Sequence, residues 1–262
     1  MMSSFLFLSI IMKLNPLVFH QRDITLTDLP PPNQRKPHQT YVHLTFESPA
    51  WEQFDKTPSH KLNGLFNYSF SYRADADFPA PYARFVKIRN HPEGEKLEQL
   101  ISSFGKNNTN LAAKEENGSA VVQMVSNCNS KSGREDLVRL IQKLIPVDVY
   151  GQCGPLKCKR RNPECNRLIE RKYKFYLSFE NSICKDYVTE KFFKILPYNT
   201  IPVVFNGANM REVGPPHSYI NVMDYGSVTD LVKEMKRIAE DDAAFASYFW
   251  WRDFYKIQVN TL

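Results

Sequence analysis

Two basic residues stand where the chain breaks its own local rules. Lys191 falls in the first turn of a helix expected to begin near Thr189, and Arg134 opens another expected helix. A cation at a helix start opposes the positive end of the helix dipole. The uncapped N–H groups there suit a phosphate instead. A residue that breaks a local rule beside a ligand-facing turn is a functional candidate. Arg134 and Lys191 together therefore predict a clamp on one diphosphate; a solvated lysine is the equal alternative for Lys191 taken alone. Neither Gly-x-x-x-x-Gly-Lys-Ser/Thr nor Gly-x-Gly-x-x-Gly occurs, so P-loop and dinucleotide-fingerprint readings lose. Glu47, at the end of a strand and two residues before Pro49, is placed to act as a general base. Taken alone, an ordinary exposed glutamate is the favoured reading. Asp75-Ala-Asp77 has the form of a Mn2+ or Mg2+ holder, but two carboxylates one residue apart arise readily by chance. His20, Trp51 and His217 default to core or loop roles.

The elements that must position these groups alternate. Strands are expected at Tyr41–Phe46, Ala120–Val125, Val147–Tyr150, Tyr173–Phe179, Ile201–Phe205 and Tyr219–Met223. Helices are expected at Arg134–Ile145, Thr189–Leu196, Val228–Ala239 and Ala243–Lys256. The polar stretch Asn90–Gly118 reads as a linker. This order implies an α/β fold with a parallel sheet and helices on both faces. Ligands in such sheets bind beyond the carboxyl ends of the strands. That directs attention to Ser126–Arg134, Phe179–Lys191 and Phe205–Asn209.

The chain has 262 residues, 42% apolar and 24% charged, which excludes disordered and collagenous classes. Its net charge, 34 − 28 = +6, is too mild and too dispersed to indicate a nucleic-acid binder. The densest basic run, Lys157–Arg161, reads as a solvated loop. Phe5–Met12 is too short to span a bilayer and reads as a poor signal peptide or a buried strand. Sequons at Asn67, Asn107 and Asn117, with five cysteines that lack paired Cys-x2-Cys knuckles, suit a disulfide-bearing lumenal protein better than a zinc module. The pairing of those cysteines stays open.

One run carries more. Tyr173-Lys-Phe-Tyr-Leu-Ser-Phe-Glu-Asn-Ser182, Lys185-Asp-Tyr-Val-Thr-Glu-Lys191 and Ile201-Pro-Val-Val204 closely resemble the signature of the α-1,3-fucosyltransferases, glycosyltransferase family 10. Val18–His20, Phe46–Pro49, Ser71–Asp75, Ser126–Cys128 and Phe249–Trp251 agree, and the cysteine-rich segment looks like the invertebrate branch. The resemblance implies a glycosyltransferase B-type architecture of two Rossmann-like domains facing a cleft. Here 1–115 would be an incomplete acceptor domain and 116–262 the GDP-fucose domain, with a last helix at about 243–257 that could pack back on the first. It implies an inverting enzyme that moves L-fucose from GDP-β-L-fucose to the 3-hydroxyl of N-acetylglucosamine in glycoprotein glycans. Carried over, Glu47 is the general base. Arg134, Asn181, Tyr187, Glu190 and Lys191 bind the donor, Glu190 also counting as catalytic, and Arg22 lies on the acceptor side. No metal is required, although stimulation by Mn2+ or Mg2+ is compatible with this, and Asp75 and Asp77 become structural or acceptor-side. The resemblance also implies the Golgi lumen and a membrane anchor absent from this chain, which reads as truncated at both ends. An inactive nucleotide- or glycan-binding relative is the alternative.

Overall fold

The computed structural model describes residues 16–115, 120–158 and 162–260. By contacts the chain separates into two compact units, Met1–Pro81 and Tyr82–Leu262.

The first unit is a parallel sheet in the order β1 (Pro16–His20), β2 (Thr40–Thr45), β3 (Tyr68–Ser71), β4 (Phe78–Pro79). Its connections contain short 3-10 turns, and the proline run 30–32 explains why no α-helix forms there. Ile24, Leu29, Tyr41 and Leu62 form its core, with Phe19, Leu65 and Phe66 packed against them. Buried Gln21 ties the exit of β1 to the loop after β2 through Asp55 Oδ2 (3.0 Å) and the Thr57 carbonyl (3.2 Å).

The second unit carries a five-stranded parallel sheet in the order β10 (Ile220–Asn221), β9 (Ile201–Phe205), β8 (Phe175–Phe179), β6 (Val121–Met124), β7 (Val147–Tyr150). Every residue of β8 is buried, as expected for a central parallel strand covered on both faces. The helices are α1 (Glu95–Asn107), α2 (Arg134–Gln142), α3 (Pro163–Lys172), α4 (Glu190–Phe193), α5 (Met210–Val213), α6 (Val228–Glu240) and α7 (Asp242–Ser247). Helix α6 starts at the Ser227 cap, whose hydroxyl accepts from Asp230 N at 3.1 Å. It buries Leu231, Val232, Met235 and Ile238 in the largest core cluster, together with Val138, Ile141, Phe175 and Leu177. On the other face Ile169 of α3 meets Val122, Tyr150, Tyr173 and Tyr176. An antiparallel ribbon of β5 (Ala83–Lys87) and β11 (Tyr255–Val259) completes the unit.

Four expectations need correction. The division falls at Pro81/Tyr82 and not at 115/116, because 82–115 is tied to the second unit through β5 and α1. The supposed linker contains α1, whose Leu97, Leu100, Ile101 and Phe104 pack against the core. At Gly105, a Cβ would lie 2.2 Å from the Ala243 carbonyl oxygen, so glycine permits α1 to close on α7. The predicted last helix is three pieces: α7, a 3-10 turn at Trp250–Asp253, and β11. Its strand pairs with residues 83–87, which lie in the half assigned to the acceptor from sequence. The helix expected from Thr189 to Leu196 is four residues long, and α3 was missed behind the cysteine cluster. The Phe5–Met12 strand lies outside the described residues.

Lys114 bolts the segment after α1 to α3 and to the turn that precedes β9. Its Nζ donates to the carbonyls of Glu170 (2.6 Å) and Asn199. Desolvation, aided by Lys174 and Arg252 against Glu170, pushes its pKa down to about 8. A lysine depressed on folding costs stability below its folded pKa. That cost is relieved as pH rises toward the unfolded value of about 10.4. Relative to Lys114→Met, the wild-type chain should therefore gain stability between pH 8 and about 10.5, by less than about 3 kcal/mol since the side chain is partly exposed. Parallel urea midpoints for the two chains across that range would contradict the assignment.

Candidate active site

The three loops singled out from sequence meet at the carboxyl end of β8. Past Phe179, Glu180 N still donates to the Phe205 carbonyl of β9 at 3.0 Å. The Asn181 carbonyl accepts from Lys131 N (2.9 Å) and Ser132 N (3.1 Å), and Ser132 Oγ donates to the Glu180 carbonyl at 2.7 Å. The first loop is thus sewn to the second. On the other side, a Cβ on Gly207 would sit 2.7–2.9 Å from the Cys184 backbone, so the third loop touches the second through a position open to glycine alone.

Arg134 is the brace behind this junction. It is 2% exposed, and its guanidinium donates to the carbonyls of Phe179 (3.0 Å) and Asn127 (2.7 Å) and to Glu135 Oε1 (3.2 Å). These bonds join the two ends of the first loop to the end of β8. A planar, permanently charged fork suits that task. Cys128 pairs with Cys153, tethering the same loop to the segment after β7, and Cys158 pairs with Cys165 in α3. Closing 25 residues is worth roughly 3.5 kcal/mol in the chain-entropy picture.

Lys191 lies in front. Its Nζ contacts Thr189 Oγ1 at 2.9 Å, Glu180 Oε2 at 3.1 Å and Glu190 Oε1 at 3.3 Å. Glu180 is 1% exposed and also accepts from Thr189 N (2.7 Å) and Thr189 Oγ1 (2.9 Å). Burial pushes the Glu180 carboxyl up, against the pull of Lys191 and Thr189. Desolvation would lower the lysine, yet Glu180 and Glu190 outweigh it and hold the ammonium above its ordinary value. At Glu190 desolvation acts upward, and Lys191, Thr189 and Lys194 together bring the carboxyl below the usual range. Glu190 itself projects to solvent.

The predicted donor residues Arg134, Asn181, Tyr187, Glu190 and Lys191 all belong to this junction or to the turn that follows it. Asn181 is half-buried, and its Oδ1 is buried without a hydrogen-bond partner among the described residues. Such an orphan acceptor awaits a donor. Tyr187 is 1% exposed, behind Asp186, whose φ of 62° marks a sharp turn. Sequence reasoning missed Glu180, Ser132 and Thr189. The available signal was a carboxylate directly after the all-apolar run Phe175–Leu177 and Phe179.

The remaining candidates lie in the first unit or elsewhere. Glu47 is exposed just beyond β2, beside Ser48, whose buried Oγ has no hydrogen-bond partner among the described residues. Arg22 is exposed beyond β1. Asp77 Oδ2 accepts from Ser69 N (2.8 Å) and Ser69 Oγ (2.7 Å), and Asp75 pairs with Arg73 at 2.5 Å. Both carboxylates are thereby committed to the chain itself. Among the described residues no group of three or more His, Cys, Asp or Glu is placed to hold a metal. Asn67 and Asn107 are exposed; Asn117 lies outside the described residues.

Two family models cover most of the chain. "Glycosyltransferase family 10 (fucosyltransferase) C-term" matches residues 111–262, and "Fucosyltransferase, N-terminal" matches 8–83. The chain is 35% identical to α-(1,3)-fucosyltransferase C of Drosophila melanogaster, over 94% of this chain and 58% of that protein. It is 34% identical to α-(1,3)-fucosyltransferase fut-1 of Caenorhabditis elegans, over 85% and 48%. It spans about half to three fifths of the length of such relatives. The solved structure of an α1,3-fucosyltransferase superposes with a TM-score of 0.54 at 20% identity, covering 86% of this chain and 67% of that one; its complex with GDP gives 0.54 at 19%, covering 86% and 68%. At that identity the likeness speaks to the fold, a mixed α/β architecture with parallel sheets of glycosyltransferase B type.

The close approach at Gly207 sets a stability test. Gly207→Ala should lower the unfolding free energy by about 1–3 kcal/mol, since the methyl meets backbone and not a side chain that can turn aside. An unchanged denaturation midpoint would mean that the second and third loops part without cost.

Proposed function

Because the chain belongs to glycosyltransferase family 10, the fucosyltransferases, we propose that it transfers L-fucose from GDP-β-L-fucose to the 3-hydroxyl of N-acetylglucosamine in glycoprotein glycans. The observation that carries this reading is the junction at the end of β8. One ammonium, one orphan carbonyl oxygen and a buried guanidinium brace converge there on three interlocked loops. In this reading Tyr82–Leu262 holds the donor and Met1–Pro81 supplies the acceptor-side groups, Arg22 among them.

The chemistry follows from where charge develops. As the bond from the fucose anomeric carbon to the diphosphate oxygen breaks, the leaving GDP takes the electron pair. Lys191 stabilises that growing negative charge. Arg134, spent on Glu135 and two backbone carbonyls, holds the first loop against β8 and so keeps the donor-facing surface in place. Asn181 Oδ1 accepts from a hydroxyl or amide N–H of the bound donor, Glu190 flanks the sugar and ribose, and buried Tyr187 supports the turn beneath them. The acceptor 3-hydroxyl attacks the opposite face of the anomeric carbon and passes its proton to the Glu47 carboxylate. The configuration inverts from β to α. No metal enters this scheme.

Two disulfides and exposed sequons at Asn67 and Asn107 support residence in the oxidising Golgi lumen. A membrane anchor belongs to the same proposal; among the described residues no helix is long and apolar enough to cross a membrane.

A transfer assay with GDP-fucose and a panel of N-glycan acceptors decides the matter. Glu47→Gln should cut kcat about a hundredfold or more while leaving GDP binding intact, and Lys191→Ala should weaken GDP binding at least about tenfold. Activity that survives EDTA agrees with the metal-free scheme, and its loss would replace it with metal-assisted departure of GDP. GDP binding without transfer to any acceptor would point to a binding protein, and full turnover in Glu47→Gln would remove the base from this residue.

A further inference from the structure

We infer that Glu180 is a positioning residue for the donor diphosphate, locking the Lys191 ammonium and the Thr189 turn into one preassembled unit at the end of β8. The inference rests on the proposed role of Lys191 in holding the diphosphate.

The geometry is specific. Glu180 is 1% exposed and touches neither solvent nor, in this reading, the donor. One carboxylate oxygen accepts from the backbone N–H and the hydroxyl of Thr189, and the other accepts from Lys191 Nζ at 3.1 Å. Thr189 Oγ1 lies 2.9 Å from the same ammonium, closing a triangle. The backbone of Glu180 is fixed independently by Phe205 and by Ser132. The carboxylate is therefore anchored to the sheet before it grips anything. A lysine stem has four rotatable bonds and loses much freedom when its head is fixed. Fixing it in the donor-free chain moves that loss out of the binding step.

A second consequence concerns charge. The groups acting on the ammonium are Glu180 from the strand end and Glu190 from its own helix, with Lys194 acting in turn on Glu190. From the first loop, Arg134 is paired with Glu135, and Lys131 contributes its backbone N–H to Asn181. The third loop, residues 206–209, carries no titratable side chain. Glu190 also touches the ammonium, at 3.3 Å, but its carboxylate is exposed and solvent weakens its pull. Glu180 is the buried partner of the two, and together they keep Lys191 charged inside a desolvated turn.

Calorimetric GDP binding by the full chain between pH 7.5 and 10 tests this. Glu180→Gln retains an oxygen for Thr189 but removes the charge. Its GDP affinity should fall about tenfold at pH 7.5, and the gap to wild type should widen as pH rises. Glu180→Asp keeps the charge but draws it back by one methylene. It should bind several-fold more weakly at every pH, with no widening. Glu180→Gln that tracks the wild-type affinity across the range overturns the inference, because a mere fold brace would not move this profile. If Glu180→Gln does not fold, Glu180→Asp decides alone, and wild-type affinity in that variant is equally fatal. The underlying donor reading fails separately. Lys191→Ala with unimpaired GDP binding sinks it whatever Glu180 does, whereas impaired Lys191→Ala beside normal Glu180 variants sinks only the positioning role.

Discussion

A carboxylate taken out of water must be met by donors or a counter-charge, or it becomes neutral or the fold gives way. Glu180 is such a group, and it sits where β8 leaves the sheet. Meeting its demand requires Thr189 and Lys191 to return to the strand they left about ten residues earlier. That return shapes the whole second loop, including the left-handed turn at Asp186 and the packing of Tyr187 and Phe192 beneath it. The first loop then closes from the other side through Arg134 and Ser132, and the third through Gly207. A charge demand at one residue and a steric demand at another fix the same surface.

The central sheet was readable because its strands are near-continuous apolar runs, the mark of parallel strands covered on both faces. The site loops were readable for a related reason: α/β topology places function at strand ends whatever the chemistry. Helix α1 has its Leu97, Leu100, Ile101, Phe104 stripe in the sequence, but Asn, Lys and Glu surround it, and composition outweighed period. The end of the chain misled in the opposite way. Aromatic residues from Phe245 to Tyr255 suit one long buried helix, and only tertiary pairing with β5 selects a strand from Tyr255.

The expected diphosphate clamp shows how far residue types alone can carry a reading. Arg134 and Lys191 looked equivalent, two cations at two helix starts. Their environments separate them. Arg134 has turned inward to backbone carbonyls, while Lys191 is held between carboxylates at the rim. Both descend from the same signal, yet one organises the surface and the other presents a charge on it. The distinction depends on which acceptors lie within reach, and no spacing in the sequence encodes that.

The ribbon between β5 and β11 has a temporal meaning. Ala83 faces Val259, and Arg84 reaches Gln258, so the first strand of the second unit waits for a partner far along the chain. During synthesis β5 emerges with its partner still unmade, and about 170 residues must follow before the pair can close. The Cys128–Cys153 loop, by contrast, can close as soon as 153 appears. The tether on the first site loop is thus available early, and the seal on the unit comes later. A ribosome stalled before Tyr255 would display an unpaired strand, Ala83–Lys87, as a ready target for chaperones or for mispairing.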